Sequence, residues 1–440
     1  MLFLHLSDIH FKSWEVGRST DPNRGLRDDL ITDVRKMRNT IIGKPFDAIL
    51  ISGDIAFAGK EKEYGFALEW LRDKLCPAAG CDFLNIVVIP GNHDVDRDAA
   101  KRPVHMRSRA SLRGVAVHES NRAITEFLND EDSAQILFKP LDSYNRFAAN
   151  FLCEIGFEDD KLLRKPYVSR EFKLNDDSKI VVWGFNSVLV CDANDNKDLM
   201  FVDPSAAQVI ERDDGTAHLV MCHHPFGWLR NGAEFRERIE EVAKIHLFGH
   251  EHNVRVEQQT NRFTRIRAGA VQPERDEPGW KPGYNAVDVS VQGTGNDRKL
   301  AVKIWVRQRE QARYIAVPAF DDNPTWDSLV PLPSWVPPIE VNFSEAIEKS
   351  RLEPQVSSVS TKDWSMASDS PTIRSVAPKL LALPERDRDE LIAALGLNEE
   401  SDKKLRDYEA ALAAIRRAAD RSQLGALDQA IDTFTTSRGA

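Results

Sequence analysis

Long hydrophobic runs are missing from this chain of 440 residues. No stretch of about 18 uncharged apolar residues occurs, so the sequence predicts no membrane-spanning helix and no membrane partner. The apolar opening, residues 1–11, lacks the basic segment and the small-residue cleavage site of a signal peptide. We therefore expect neither a leader segment nor a membrane anchor.

Cysteine is scarce as well, with 5 residues scattered along the chain in no pairing pattern. An odd number of isolated cysteines predicts reduced thiols and a cytoplasmic location rather than a disulfide framework.

Positive charge is also in the minority, because 69 acidic residues outnumber 59 basic ones and the net charge is −10. Such a chain as a whole is a poor non-specific binder of nucleic acid, although a local patch or a metal pair can still hold phosphate.

Short apolar runs alternate with helical patterns through the first 330 residues. Helical spacing occurs over 25–40 and 61–75, and strand-like runs occur at 2–6, 48–52, 85–89, 179–183, 218–221 and 245–248. This alternation predicts a largely parallel central sheet with helices outside it. Later strand-like runs at 263–267, 284–291 and 300–307 follow one another closely. They predict a second, mixed or antiparallel sheet stacked on the first.

The remaining segments divide the chain further. Residues 95–165 have mostly helical patterns directly after a polar motif, which predicts a helical cap insertion in a catalytic domain of residues 1–330. Residues 331–378 are rich in Pro, Ser and Asp and predict a tail followed by a flexible linker. Amphipathic, alanine-rich helices over 379–440 predict a small all-α module. We expect it to bind a protein partner or to self-associate, with a plain structural appendage as the alternative.

Polar clusters follow five of the apolar runs: DIH at 8–10, GD at 53–54, GNHD at 91–94, CHHP at 222–225 and GHEH at 249–252. Ligands bind at the carboxyl ends of strands in open α/β sheets, so these clusters predict one shared site. Their carboxylate, imidazole and amide donors suit divalent Mn, Fe or Zn, and no cysteine takes part. Two ions sharing one carboxylate would use all seven candidate ligands: Asp8, His10, Asp54, Asn92, His223, His250 and His252.

The motif series DxH, GD, GNHD, H and GHxH resembles the signature of the calcineurin-like metallophosphoesterase superfamily over roughly residues 1–310. The resemblance implies a four-layer α/β/β/α sandwich with a dinuclear metal centre at its edge. It further implies one ion held by Asp8, His10 and His252. The other ion would be held by Asn92, His223 and His250, with Asp54 bridging both. Of the adjacent pair, His223 aligns with the single histidine of relatives, and His224 would support it or face the substrate.

Two residues remain for proton transfer. If Asn92 is a ligand, His93 is free to protonate the leaving group while a metal-bridging hydroxide attacks phosphorus. We expect Asp94 to orient His93 and to favour its charged form, although a cap or loop role for Asp94 is the alternative.

The combination of GNHD and GHxH resembles the branch that contains cyclic-nucleotide phosphodiesterases. It implies hydrolysis of phosphodiester bonds in nucleotides, cyclic nucleotides or nucleic acid, with manganese among the expected metals. A phosphomonoesterase and a nucleotide-binding sensor that signals through its C-terminal helices stay open. The sequence also resembles large bacterial phosphohydrolases with extra C-terminal modules, some of which serve defence or signalling systems. Basic residues clustered over 97–113 could hold a phosphate backbone, and Trp14 or Trp228 could stack on a base. A solvated helix face and ordinary packing are the alternatives.

Overall fold

The structure is a computed structural model that describes residues 1–157, 164–165, 167–192, 194–274, 281–337 and 370–438. Two sheets pack face to face through one continuous hydrophobic core. Phe3 and Phe172, one from each sheet, meet across this core with ring centroids 5.5 Å apart. In the described part of the chain no helix is long and apolar enough to cross a membrane.

The first sheet has the strand order β14-β13-β12-β1-β2-β3, with β15 also paired to β13. Strands β1, β2 and β3 run parallel, and the four late strands are antiparallel to their neighbours. The strands are β1 (Leu2–Leu6), β2 (Ala48–Ile51), β3 (Ile86–Val88), β12 (Gly283–Gln292), β13 (Lys299–Glu310), β14 (Arg313–Ala316) and β15 (Trp326–Pro331).

The second sheet has the order β10-β11-β9-β8-β7-β6 and is parallel between β7 and β11, with antiparallel strands at both edges. Its strands are β6 (Tyr167–Lys173), β7 (Lys179–Phe185), β8 (Thr216–Cys222), β9 (Ile245–Phe248), β10 (Arg255–Gln259) and β11 (Phe263–Arg267). A separate small pair joins β4 (Gly156–Phe157) to β5 (Arg164–Lys165).

The predicted strands all exist, but their predicted assignment to sheets is wrong. Strands β7, β8 and β9 do not extend the sheet of β1, and β12 pairs directly with β1 in the register Phe3↔Val287. Apolar runs predict that a strand forms, whereas its lateral partner depends on packing between distant segments. The expected α/β/β/α layering holds, because helices cover the outer face of each sheet.

The first two helices begin where the periodicity predicts, at Arg24 and Glu61. In α1, apolar residues at helical spacing (Leu26, Leu30, Ile31 and Val34) are buried against the first sheet. Turns of π-helix, Met37–Ile41 and Leu71–Leu75, continue the first two helices. The helices are α1 (Arg24–Lys36), α2 (Glu61–Trp70), α3 (Cys76–Ala79) and α9 (Gly232–Val242).

A helical segment follows β3, where the insertion is predicted. Pro103 lies in the first turn of α5, where its missing N–H costs nothing, and Asp130 caps α7 by accepting from the Ser133 N–H. The helices are α4 (Arg97–Ala100), α5 (Pro103–Arg113), α6 (Ser120–Asn129), α7 (Glu131–Phe138) and α8 (Asp142–Ala148). The predicted range ends at 165, and residues 158–163 of it lie outside the described residues.

Over the described residues 370–438, the C-terminal module has four α-helices and a hydrophobic core of its own, which also includes Ala149. Most of the predicted linker, 338–369, lies outside the described residues. The helices are α10 (Ile373–Leu381), α11 (Glu385–Ala394), α12 (Asp407–Asp420) and α13 (Leu424–Arg438). Helix α10 begins before the predicted boundary at 379 because Thr372 caps it, and Pro378 lies inside the helix.

The module is docked on the helical insertion. Asp407 pairs with Arg146 at 2.8 Å, and Arg406 pairs with Asp142 at 2.9 Å. Arg146 and Asp142 both lie on α8, so the C-terminal helices contact the helical insertion of their own chain. The division into a catalytic domain (1–330), a tail and linker (331–378) and a helical module (379–440) stays a prediction.

One buried ion pair ties α1 to the late strands. Arg307 donates two hydrogen bonds to Asp33, at 2.7 and 2.8 Å, and the Tyr284 hydroxyl donates a third at 2.6 Å. Both charged side chains are only 6% exposed. Such a pair is costly to break because the remaining charge stays buried without a partner.

We therefore expect Asp33→Ala to lower the free energy of unfolding by about 3–5 kcal/mol, measured by urea denaturation. The matched control is Arg122→Ala, because Arg122 is 68% exposed in its pairs with Glu119 and Glu126 and should cost less than about 1 kcal/mol. An equal loss of unfolding free energy in the two variants would show that the buried pair of Asp33 and Arg307 stabilises the fold no more than an exposed pair does.

Candidate metal centre

Five loops meet at one edge of the molecule, each directly after the carboxyl end of a strand. The loops after β1, β2 and β3 come from the first sheet, and those after β8 and β9 come from the second. Backbone hydrogen bonds join them, from the Asp8 N–H to the Gly53 carbonyl at 3.1 Å and from the Gly249 N–H to the His223 carbonyl at 3.0 Å. These loops carry all seven predicted ligands, and each of the seven is buried or half-buried.

The backbone of these loops is unusual. Five of the seven predicted ligands have a left-handed φ, between 54° and 70°: Asp8, His10, Asp54, His250 and His252. For residues other than glycine this conformation costs roughly 1–2 kcal/mol each. Strain of this kind concentrates at functional sites, where the surrounding contacts enforce it.

Two motif glycines allow the loops to approach so closely. Gly53 has φ +100°, and a Cβ at this position would lie 2.5 Å from His223 Nδ1. A Cβ on Gly91 would lie 2.7 Å from Asp54 Cγ and would overlap other atoms of Asp54. Any side chain at either position would therefore displace a predicted ligand.

The donor atoms form two groups that share Asp54. In the first group, Asp8 Oδ1 lies 3.1 Å from His252 Nε2. His10 Nε2 lies 3.2 Å from Asp54 Oδ2. In the second group, Asn92 Oδ1 lies 3.1 Å from His223 Nε2 and 3.0 Å from His250 Nδ1. His223 Nε2 is also 3.3 Å from Asp54 Oδ2, so one carboxylate oxygen contacts both groups.

The hydrogen bonds of two histidines show that a cation fits between these groups. His223 Nδ1 donates to the Ser52 carbonyl at 2.8 Å, and His10 Nδ1 faces the Gln272 carbonyl at 3.4 Å. With Nδ1 used in this way, a neutral ring carries its Nε2 lone pair on the side of the Asp54 carboxylate, where a metal ion could share both donors. Metal-binding histidines use their second nitrogen in this way. The residues present therefore fit a divalent ion.

Burial and the close approach of charged groups shift the pKa values of the acidic and basic residues at the site. Burial acts to raise the pKa of Asp8, but the charge and hydrogen bond of His252 lower it to about 2. Burial acts to lower the pKa of His223, but the charge of Asp54 raises it to about 9. For His250, burial and the nearby His223 lower the pKa to about 3. Positive charge is thus favoured most strongly beside Asp54.

His224 lies close enough to the second donor group to act as a ligand itself, rather than only to support His223 or face the substrate. Its Nδ1 is 2.9 Å from the Ser187 hydroxyl, while its buried Nε2 has no hydrogen-bond partner in the described ranges. A nitrogen of His224 lies within 4.8 Å of donors of His223 and His250. Burial and these two histidines hold the pKa of His224 well below its usual range, so the ring is neutral. His224 is therefore an additional candidate ligand, and the HHP string was its only signal.

The structure places His93 beside the two donor groups. Its backbone N–H donates to Asp54 Oδ1 at 2.7 Å, and its ring centroid is 4.6 Å from that of His10. Its Nδ1 donates to the Phe57 carbonyl at 2.8 Å, which leaves Nε2 available for proton transfer. Burial lowers the pKa of His93 to about 4, with His10 acting in the same direction and Asp54 opposing it.

Asp94 does not make the predicted contact with the His93 ring. Its carboxylate accepts from the Ala56 and Gly91 N–H groups and from the Tyr64 hydroxyl, each at 2.9 Å. Burial and the charge of Asp54 raise its pKa to about 7. Asp94 therefore ties the loop after β2 to the loop after β3, while the Phe57 carbonyl orients His93. A catalytic role for Asp94 stays a prediction.

Only part of the basic segment reaches the site. Arg97 Nη2 lies 3.2 Å from His93 Nδ1. Arg109 and Arg113 instead face acidic residues of another loop, with Arg113 2.6 Å from Asp195.

Gln272 is a further residue at the site that the sequence motifs did not indicate. Its backbone N–H donates to the Asp8 carbonyl at 3.1 Å.

Comparison with known proteins identifies the family of this chain. The sequence profile described as calcineurin-like phosphoesterase matches residues 1–254, and the chain belongs to this family. Its members act on phosphate esters with a dinuclear centre of divalent metal ions. An uncharacterized metallophosphoesterase-like protein of Bacillus subtilis, YydB, is 23% identical over 325 residues, or 69% of this chain. The match spans 59% of the length of that relative.

Several solved structures are similar to this chain at low sequence identity. A dimetal phosphatase from Danio rerio has 11% identity and a TM-score of 0.36, and the match covers 72% of this chain and 98% of that one. The calcineurin-like phosphoesterase YfkN from Bacillus subtilis has 10% identity and a TM-score of 0.30, with 79% and 97% covered. A 5'-nucleotidase from Candida albicans has 12% identity and a TM-score of 0.32, with 66% and 48% covered.

The close approach at Gly91 leads to a direct test. We expect Gly91→Ala to lower metal binding at least tenfold, because its Cβ would displace the Asp54 carboxylate, and calorimetric titration with Mn²⁺ would measure the loss. Gly25→Ala is the matched control, since no atom lies within 4 Å of a Cβ there and a helical alanine is favoured by up to about 1 kcal/mol. Unchanged Mn²⁺ affinity in Gly91→Ala would show that Asp54 is not a ligand.

Proposed function

We propose that this protein is a metal-dependent phosphodiesterase acting on nucleotides, cyclic nucleotides or nucleic acid. The observation that carries the proposal is the pair of donor groups joined by Asp54, with the His93 ring held beside them and outside the predicted ligand set. The chain therefore offers both a cation site for a phosphate and a separate group for proton transfer.

Seven residues would hold the metal ions. Asp8, His10 and His252 would bind one ion, and Asn92, His223 and His250 the other, with Asp54 shared. We propose manganese as the metal, with iron and zinc as alternatives that the same donors accept. When bound, two divalent ions supply Lewis-acid neutralisation of phosphate charge and lower the pKa of a bound water.

The protein's own groups then position and protonate the substrate. With Nδ1 fixed on the Phe57 carbonyl, His93 can donate a proton only from Nε2, and we assign this proton to the departing oxygen. The negative charge of a phosphate diester would raise the pKa of the buried ring and favour the protonated form. Arg97, next to His93, would hold the ester's negative charge.

The role of the C-terminal helices and the location of the protein are part of the same proposal. A partner or self-association through 379–440 stays a prediction, and the docking of Arg406 and Asp407 on α8 supports a structural appendage equally well. A cytoplasmic location is consistent with the five cysteines, all buried and none in a disulfide.

The function is tested with bis(4-nitrophenyl) phosphate and 4-nitrophenyl phosphate as diester and monoester. We expect the Mn²⁺-loaded protein to prefer the diester, and His93→Ala to lower kcat on it by about 10²–10⁴-fold while bound Mn²⁺ per chain stays unchanged. His118→Ala is the matched control, because His118 is exposed on the insertion.

Three outcomes would count against the proposal. A preference for the monoester would indicate a phosphomonoesterase. Tight nucleotide binding without turnover would indicate a sensor. Full activity in His93→Ala would remove His93 from the reaction.

A further inference from the structure

An aromatic surface leads from the candidate metal centre to solvent on the side of His93. The Phe57 ring lies 5.0 Å from that of His93 and 6.1 Å from that of His10. Trp14 meets Phe57 edge to face at 5.4 Å and is 47% exposed. The proton donor therefore adjoins a two-ring platform that is open to a ligand.

Two cations border this platform. Lys12 Nζ lies 4.5 Å and Arg97 Cζ 5.8 Å from the centre of the Phe57 ring. The charge of Lys12 is matched by Glu274 at 2.7 Å. Arg97 has no ion pair with any carboxylate in the described ranges, and its buried Nε has no hydrogen-bond partner there. Arg97 is therefore the cation that remains available to an anionic ligand.

A second aromatic surface lies against the other donor group. Trp228 meets His250 edge to face at 4.1 Å and lies 6.0 Å from His224. Its Nε1 donates to Glu251 at 3.2 Å, which fixes the ring, and Lys197 Nζ is 5.8 Å from the ring centre. The two surfaces contact different histidines, so each donor group has its own tryptophan and its own cation.

Resting on the proposed function, we propose that these two surfaces bind the bases on either side of the scissile phosphate, so that the substrate is a dinucleotide unit. Aromatic side chains hold bases by stacking, at about 1–3 kcal/mol per base, and cations beside them hold backbone phosphate. A phosphate monoester has no second ester group to place. A cyclic mononucleotide has one base and would leave one surface unused.

The test compares a linear dinucleotide, d(TpT), and a cyclic dinucleotide with methyl 4-nitrophenyl phosphate, a diester without bases. We expect Trp14→Ala and Trp228→Ala each to lower the ratio of kcat/KM for the dinucleotide to that for the simple diester by about 5- to 100-fold. The loss should lie mainly in KM, and Trp14→Phe should recover most of it because a phenyl ring still stacks.

Phe320→Ala is the matched control, because Phe320 is an exposed aromatic residue, 86% accessible, that packs on Trp326 of β15. This variant should leave kcat/KM unchanged for both the dinucleotide and the simple diester. If the tryptophan variants lower the kcat/KM ratio only for d(TpT), the dinucleotide unit belongs to an oligonucleotide. If they lower it only for the cyclic compound, the substrate is a cyclic dinucleotide.

Two results overturn the inference without touching the proposed function. One is an unchanged ratio in both tryptophan variants of an active diesterase, and the other is a loss in only one of them, which would indicate a substrate with a single base. If the wild-type protein hydrolyses no diester at all, the proposed function itself fails.

Discussion

The buried carboxylate of Asp54 contacts both donor groups, and the rest of the site is arranged around it. Its Oδ2 faces His10 and His223, its Oδ1 accepts from the His93 backbone, and it is 1% exposed. A carboxylate removed from water in this way is stable only when cations or hydrogen-bond donors surround it. The candidate ligands with a left-handed φ and the closely packed motif glycines lie in the loops around it.

The fold supplies that environment because two sheets end at one edge. The first sheet contributes three of the loops and the second contributes two, so neither sheet alone could complete the donor set. Asp94 links two of the loops, and the Tyr64 that donates to it stacks on Phe147 of α8 at 5.1 Å. The C-terminal helices dock on the same helix, so a continuous series of contacts joins them to the loops at the site.

Sequence patterns predict the strands and the candidate ligand residues because both are local signals. An apolar run predicts a strand, and a polar cluster after it marks the edge where His250 and His252 lie. The pairing of β12 with β1 was missed because it joins segments almost 290 residues apart and leaves no local trace. The partners of Asp94 were missed for a related reason, since Tyr64 reaches it from a helix packed beside the site.

Paramagnetic resonance of the Mn²⁺-loaded protein shows whether Asp54 joins two metal ions. We predict two Mn²⁺ ions per chain whose signals are coupled, because one carboxylate contacts both donor groups. In Asp54→Ala the coupling should disappear, and at least one ion should be lost. A single uncoupled ion in the wild-type protein, or an unchanged coupled signal in Asp54→Ala, would show that Asp54 does not join two ions.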